Sequence, residues 1–189
     1  MKIKKKHSLL TQLISLFLIA ILNANGQTIV SGDFQNGKQI INKGDVSLDK
    51  VDMIIDSGKK YLGKPYLYRL SDGRVLDCSG FISYIHEQNG VDLPSSSASL
   101  SSITEKVNLL ETKKGDLLFF KGRNINSKKV GHVSMVISVD GDIIEMIHSC
   151  NRGIIIEKYN SNIYYTSRYL FTGRLAYQNY LTIESTEFV

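Results

Sequence analysis

The chain has 189 residues, 42% of them hydrophobic, with 23 Lys and Arg against 18 Asp and Glu, two cysteines and no tryptophan. That apolar content excludes a disordered chain, and the length suits a single domain that buries its own core. The net charge of +5 gives no reason to expect a nucleic-acid partner: four of the basic and none of the acidic residues fall in residues 1–26, leaving 19 against 18 in the 163 that follow.

Residues 1–26 have the layout of an export signal. Lys2, Lys4, Lys5 and Lys6 open it, residues 9–22 form an apolar run, and Ala24 and Gly26 suit the −3 and −1 positions of a cleavage site. The run of about 14 residues is shorter than the roughly 18 needed to span a bilayer. The expectation is a cleaved signal, a secreted or periplasmic product, and no stable membrane insertion afterwards, with a retained anchor as the alternative. Residues 27–46 are polar and glycine-bearing, a flexible lead-in. From Ser47, an available N-cap, Val51, Ile54, Ile55, Gly58 and Leu62 recur at helical spacing until Gly63 and Pro65. A second helix is expected over about 79–88, with Phe81, Ile82 and Ile85 as its apolar face. The serine-rich stretch 94–107 has room for a short third helix. Strands are expected at 116–120, 132–138, 142–148, 153–159 and 169–177, each β-branched or aromatic and bounded by Gly, Asn, Asp and Lys. Helices first and strands afterwards predict an α+β domain over 47–177, its N-terminal helices packed on an antiparallel sheet of about five strands, with a tail at 178–189.

Asp77 can cap the second helix, which places Cys78 in the first turn. The partial positive charge there favours a thiolate, and such settings bring a cysteine from a pKa near 8.5 to roughly 3.5–7.5. A thiolate is the attacking species in covalent catalysis; a small core residue at a helix start is the alternative that the cysteine alone leaves open. Four histidines could serve it. His7 lies in the export signal, and His86 is about 80° round the helix from Cys78 and more than two turns away, so a solvated face is expected for it. His132 and His148 sit on consecutive strands. A two-residue turn at Asp140-Gly141 would point them to opposite faces. A three-residue loop, Val139-Asp140-Gly141, instead sets Ser138 opposite Asp142 and His132 opposite His148. That register is the expectation, and a bulge elsewhere in the ladder would give the same shared face.

The segments GKPYLYRLSDGRVLDCSGFISYI, LPSSS, KKGDLLFF, GHVSMVIS and MIHSC occur in this order. They resemble the NlpC/p-sixty family of papain-like cell-wall cysteine peptidases over roughly residues 51–176. The resemblance implies a papain-like fold with Cys78 as nucleophile, His132 as general base and then acid, and His148 as the group that orients His132. It implies that Tyr66, beside the Cys78 backbone N–H, donates to the developing oxyanion. Asp77 and Ser79 would lie near the amine of a peptidoglycan stem peptide, with Asp77 also needed as a helix cap. The implied reaction is hydrolysis of stem peptides at the D-glutamyl to diaminopimelate link by a monomer, without cofactor or metal.

Some positions depart from that pattern. Tyr66-Leu67-Tyr68-Arg69-Leu70 stands where the family usually shows two glycines, and the interval from His132 to His148 is long. Arg69 could contact a substrate carboxylate or be surface solvated. Cys150 shares a strand face with His148 and could oxidise against Cys78, or be merely a small side chain. Three other functions compete: an amidase or acyltransferase on the same framework, a non-catalytic wall-binding module, and a metal site on Cys78, His132 and His148. Against the last stands the lack of any close-spaced ligand pair.

Overall fold

The computed structural model describes residues 43–177. It also describes four two-residue strands nearer the N-terminus: β1 (Ile21–Leu22) pairs with β2 (Thr28–Ile29), and β3 (Phe34–Gln35) with β4 (Lys38–Gln39). The chain divides into two compact units between Asn42 and Lys43. The export signal and the lead-in, apart from these strands and residues 43–46, lie outside the described residues, as does the tail from residue 178.

Helix α1 (Lys43–Lys59) begins four residues before the Ser47 cap expected from sequence, so Ser47 is inside it. Residues 43–47 carry only one apolar side chain, Val46, and a periodicity of apolar residues is blind to such a turn. Val51, Ile54 and Ile55 form the buried stripe of α1. A hairpin of β5 (Tyr68–Arg69) and β6 (Val75–Leu76) leads into α2 (Cys78–Glu87), and a third helix, α3 (Ser97–Ser102), follows. The serines make that helix possible, because Ser96 caps it by accepting from Ser99 N at 3.1 Å.

Six strands form one antiparallel sheet: β7 (Glu105–Val107), β8 (Leu117–Lys121), β9 (Val130–Asp140), β10 (Ile143–Cys150), β11 (Gly153–Lys158) and β12 (Tyr169–Arg174). They lie in the order β11-β10-β9-β8-β12-β7. The sheet thus has one strand more than expected: β7, three residues on the edge beside β12, is too short for alternation to reveal. A four-residue helix, α4 (Ile163–Thr166), precedes β12.

Both faces of the sheet are covered. Phe81, Ile82 and Ile85 of α2 pack with the α1 stripe onto Leu117, Phe119, Val133, Met135 and Ile147. On the other face Leu118, Phe120, Val136, Ile144 and Met146 pack with Tyr159 and Tyr165. Asp116, in the Gly-Asp-Leu motif, is buried. It accepts a two-pronged bond from Arg174 at 2.8 Å on each oxygen, which fastens the end of β12 to the start of β8.

His86 is the clearest departure from expectation. It is fully buried, with Nδ1 donating to the Ile82 carbonyl at 2.7 Å and Nε2 lying 3.2 Å from the Tyr177 hydroxyl. Helical spacing marks the face of α2 that meets the sheet. It does not show that α1 and the segment around Tyr177 cover further sides of the same helix.

The β9–β10 hairpin corrects the proposed register. Asp140 pairs with Ile143, so the loop is the two residues Gly141-Asp142, not Val139-Asp140-Gly141. That register alone would separate the histidines. A bulge follows: Ser138 pairs with Glu145, but Met146 pairs with Val136, leaving Ile137 as the extra residue. The bulge returns His132 and His148 to one face, as diagonal neighbours and not as direct partners.

Candidate active site

The loop into α2 is built around the Asp77 carboxylate. Its Oδ1 accepts from Gly80 N at 2.7 Å, the N-cap bond, and from the Ser79 hydroxyl at 3.2 Å. Only glycine fits at position 80, because a Cβ there would stand 2.6 Å from the Val75 carbonyl oxygen. Cys78 is therefore the first residue of the helix, where the earliest N–H groups have no acceptor within the helix.

The β9–β10 ladder ends at Met135 and Ile147, although both strands run on. Into that parting comes the segment before α2. Ser149 of β10 donates to the Leu76 carbonyl at 2.8 Å, and the Val133 backbone of β9 comes close enough to the Cys78 sulfur to favour its thiolate. Val133 packs under the helices and His132, its neighbour, faces the opposite side. The sulfur thus lies beside the strand that carries His132, at the place where β9 and β10 no longer pair.

His132 Nε2 is 2.8 Å from His148 Nδ1. His148 is fully buried, and its Nε2 donates to Glu157 Oε1, 2.8 Å away. The rings are wedged among aromatics: Phe120 and Tyr165 lie 5.8 Å from the His132 ring, and Tyr165 lies 5.1 Å from that of His148. Glu157 also accepts from Arg152 on Oε1 and from Asn162 Nδ2 on Oε2, the latter at 2.8 Å.

Burial shapes the electrostatics. It pushes the Cys78 thiol up, Asp77 adds to this, and the bonds from Val133 and Ser79 only partly offset them. Desolvation and the adjacent carboxylate thus act against the lowering that a helix start favours. Burial, with His148 next, lowers His132 to about 3. Burial raises Glu157, but the bonds from His148, Asn162 and Arg152 outweigh it and bring the carboxyl to about 2. The resting arrangement is a neutral thiol, a neutral His132 and an ionised Glu157.

Tyr66 and His132 line one cleft of about 490 Å³, together with Lys121, Arg123, Cys150 and Arg152. The Tyr66 hydroxyl is held above its usual pKa by burial first and by Cys78 second. Its loop is tied to the start of β11 by Gly63 N to the Ile154 carbonyl, 2.9 Å, and Ile154 N to the Lys64 carbonyl, 2.8 Å. Gly153 makes this approach possible: its φ is +102°, and a Cβ would lie 2.6 Å from the Lys64 oxygen. Leu67, next to Tyr66, has a left-handed φ of +59° at a position where glycine would be unstrained.

Other predicted residues are placed differently. Arg69 donates to the Gly73 carbonyl of its own hairpin at 2.9 Å and does not line the cleft. Ser79 is buried with its hydroxyl on Asp77. Cys78 and Cys150 are both free thiols, and Cys150 is buried. Among the described residues no group of His, Cys, Asp or Glu is arranged to hold a metal, and no helix is long and apolar enough to cross a membrane. Glu157 went unnoticed in the sequence. It was findable: a two-residue turn at Asn151-Arg152 pairs Cys150 with Gly153, and the only acid in GIIIEK then shares a face with His148.

A helix-start cysteine beside a sheet that bears a hydrogen-bonded histidine pair defines a papain-like α+β protein. The chain belongs to the NlpC/P60 family, whose model matches residues 63–174. It is similar to the gamma-D-glutamyl-L-lysine dipeptidyl-peptidases of Bacillus cereus and Bacillus subtilis. The first is 36% identical over 56% of this chain and 30% of the relative, the second 33% identical over 72% and 46%. An NlpC/P60 family protein of Bacillus cereus with a crystal structure superposes with a TM-score of 0.55 at 33% identity, over 70% of this chain and 40% of that one. The chain spans less than half the length of each of these relatives.

Proposed function

We propose that this protein is an exported cysteine peptidase that hydrolyses peptidoglycan stem peptides at the bond after D-glutamate, to diaminopimelate or another diamino acid. The observation that carries the reading is the His132–His148 hydrogen bond on the strand beside the helix-start sulfur of Cys78. The names of the similar Bacillus enzymes support the choice of substrate.

The thiol gives its proton to His132 as the sulfur attacks the peptide carbonyl, so charge separates only as the bond forms. The Cys78 N–H and the Tyr66 hydroxyl donate to the resulting oxyanion. The carbon–nitrogen bond then breaks, the departing amine takes the proton from His132, and a thioester remains. Water adds to that carbonyl, giving its proton to His132. Collapse breaks the carbon–sulfur bond, releases the acid, and returns the proton to the sulfur. His148 holds the His132 ring throughout. The Asp77 carboxylate, with Oδ1 on the cap, leaves Oδ2 as its candidate contact for the free amine of a stem peptide.

The test is incubation with purified D-glutamyl-diaminopimelate stem peptides, with and without a thiol alkylator, and identification of fragments by mass. Cleavage is expected from the wild type and not from Cys78→Ala or after alkylation. Cleavage that survives Cys78→Ala, or binding to intact wall with no cleavage of any stem peptide, would overturn the reading. Products extended by an added amine would assign acyl transfer instead.

A further inference from the structure

Two neutral imidazoles joined by one hydrogen bond can carry their protons in either of two arrangements. In one, His132 Nε2 donates to His148 Nδ1; in the other, the direction reverses. The two differ in what is left on His132: a bare Nδ1 able to accept a proton, or an Nδ1–H that cannot. The pair by itself does not choose between them.

Glu157 supplies the choice. It lies two residue pairs along the β10–β11 ladder from His148, on the same face, with Oε1 2.8 Å from His148 Nε2. An ionised carboxylate only accepts. Arg152 on Oε1 and Asn162 Nδ2 on Oε2 are both donors, so they hold the carboxylate as an anion and fix its direction. His148 Nε2 must then carry hydrogen, and in a neutral ring that leaves His148 Nδ1 bare. Across the 2.8 Å contact, His132 Nε2 must donate, which leaves His132 Nδ1 bare.

We infer that Glu157 is a positioning residue that sets the tautomers of both His148 and His132, through a directed chain anchored by Arg152 and Asn162. The inference rests on the reading of Cys78, His132 and His148 as a peptidase centre and adds a fourth member to it. It assigns His132 Nδ1 as the atom that receives the thiol proton. No proton travels to Glu157: when His132 becomes an imidazolium, its Nε2–H keeps the same bond to His148, and the carboxylate stabilises the new charge from two rings away. The arrangement also accounts for a half-buried carboxylate beside three donors, directly after the run Ile154, Ile155 and Ile156.

The experiment is nitrogen-15 NMR of protein labelled at the histidine rings, near pH 7 and without substrate, on the wild type and on Glu157→Leu and Glu157→Gln. The wild type is expected to show a protonated Nε2 and a bare Nδ1 on both His132 and His148. Glu157→Leu is expected to mix the tautomers. Glu157→Gln, which keeps one acceptor oxygen, is expected to hold the wild-type pattern in part, and it remains informative if the leucine variant does not fold. On stem peptides, kcat should fall about 10- to 100-fold in Glu157→Leu with KM within about twofold, and less in Glu157→Gln. A wild type with His132 protonated at Nδ1, or ring signals and kcat unmoved in both variants, would overturn the inference. The ring signals are read without turnover, so a wild type that cleaves nothing would count against the peptidase reading while leaving the tautomer chain decided on its own.

Discussion

Protonation of His86 should be a principal cause of acid unfolding. Desolvation in the core brings this ring from 6.5 to about 4, against the lone help of the Ile82 carbonyl. The unfolded chain therefore binds a proton that the folded chain refuses between those two values. The sign follows: His86 costs no stability above about pH 6.5, and stability falls as pH drops from there to about 4. The full difference is about 3 kcal/mol, and the slope within the window is about 1.4 kcal/mol per pH unit. His132, lowered to about 3 by burial, acts in the same direction. Glu157 adds its share lower down, with stability lost as pH falls from 4.5 to about 2. Urea unfolding at intervals from pH 7 to 4.5 measures the slope directly. His86→Gln, which can still donate to Ile82, should cut it by about 1.4 kcal/mol per pH unit. Equal slopes in two proteins that are both folded at pH 7 would refute a buried, neutral His86.

Three further outcomes are expected. Gly153→Ala forces a side chain into a left-handed position 2.6 Å from the Lys64 oxygen, so urea unfolding should show a loss of about 2–3 kcal/mol; kcat should fall with it as the Tyr66 loop moves. Leu67→Gly removes a strain of about 1–2 kcal/mol at φ +59° and adds about 0.5–1 kcal/mol of unfolded-state entropy, so thermal unfolding should show a neutral or slightly stabilised protein. Leu67→Val should destabilise. Asp77→Asn keeps a good cap but removes the charge that helps to raise the thiol, so the pH profile of Cys78 alkylation should move to lower pH at little cost in stability.

Much of the domain was legible in the sequence because it follows from local rules. Apolar residues at helical spacing marked α1 and α2, and Asp77 followed by Cys-Ser-Gly marked a capped helix start whose cap the structure shows bonded to Gly80. Alternation and turn residues located β8 to β12 to within a few residues. Three-residue β7 and the first turn of α1 carry too little pattern to be seen this way. His86 was misplaced because a helix wheel shows one partner surface and this helix has several.

Sequence alone determined which residues could take part, since a short capped helix start, a run of strands and the types Cys, Tyr, His and Glu are written in the order of the chain. Only the tertiary structure decided how they meet. One extra residue, Ile137, reverses the face on which His132 would otherwise point, and a β-strand has no local preference for where it bulges. The parting of β9 and β10, the burial that keeps Cys78 and His132 neutral, and the arrival of Glu157 behind His148 all depend on pairings between distant segments, whose energies exist only once the sheet has closed around them.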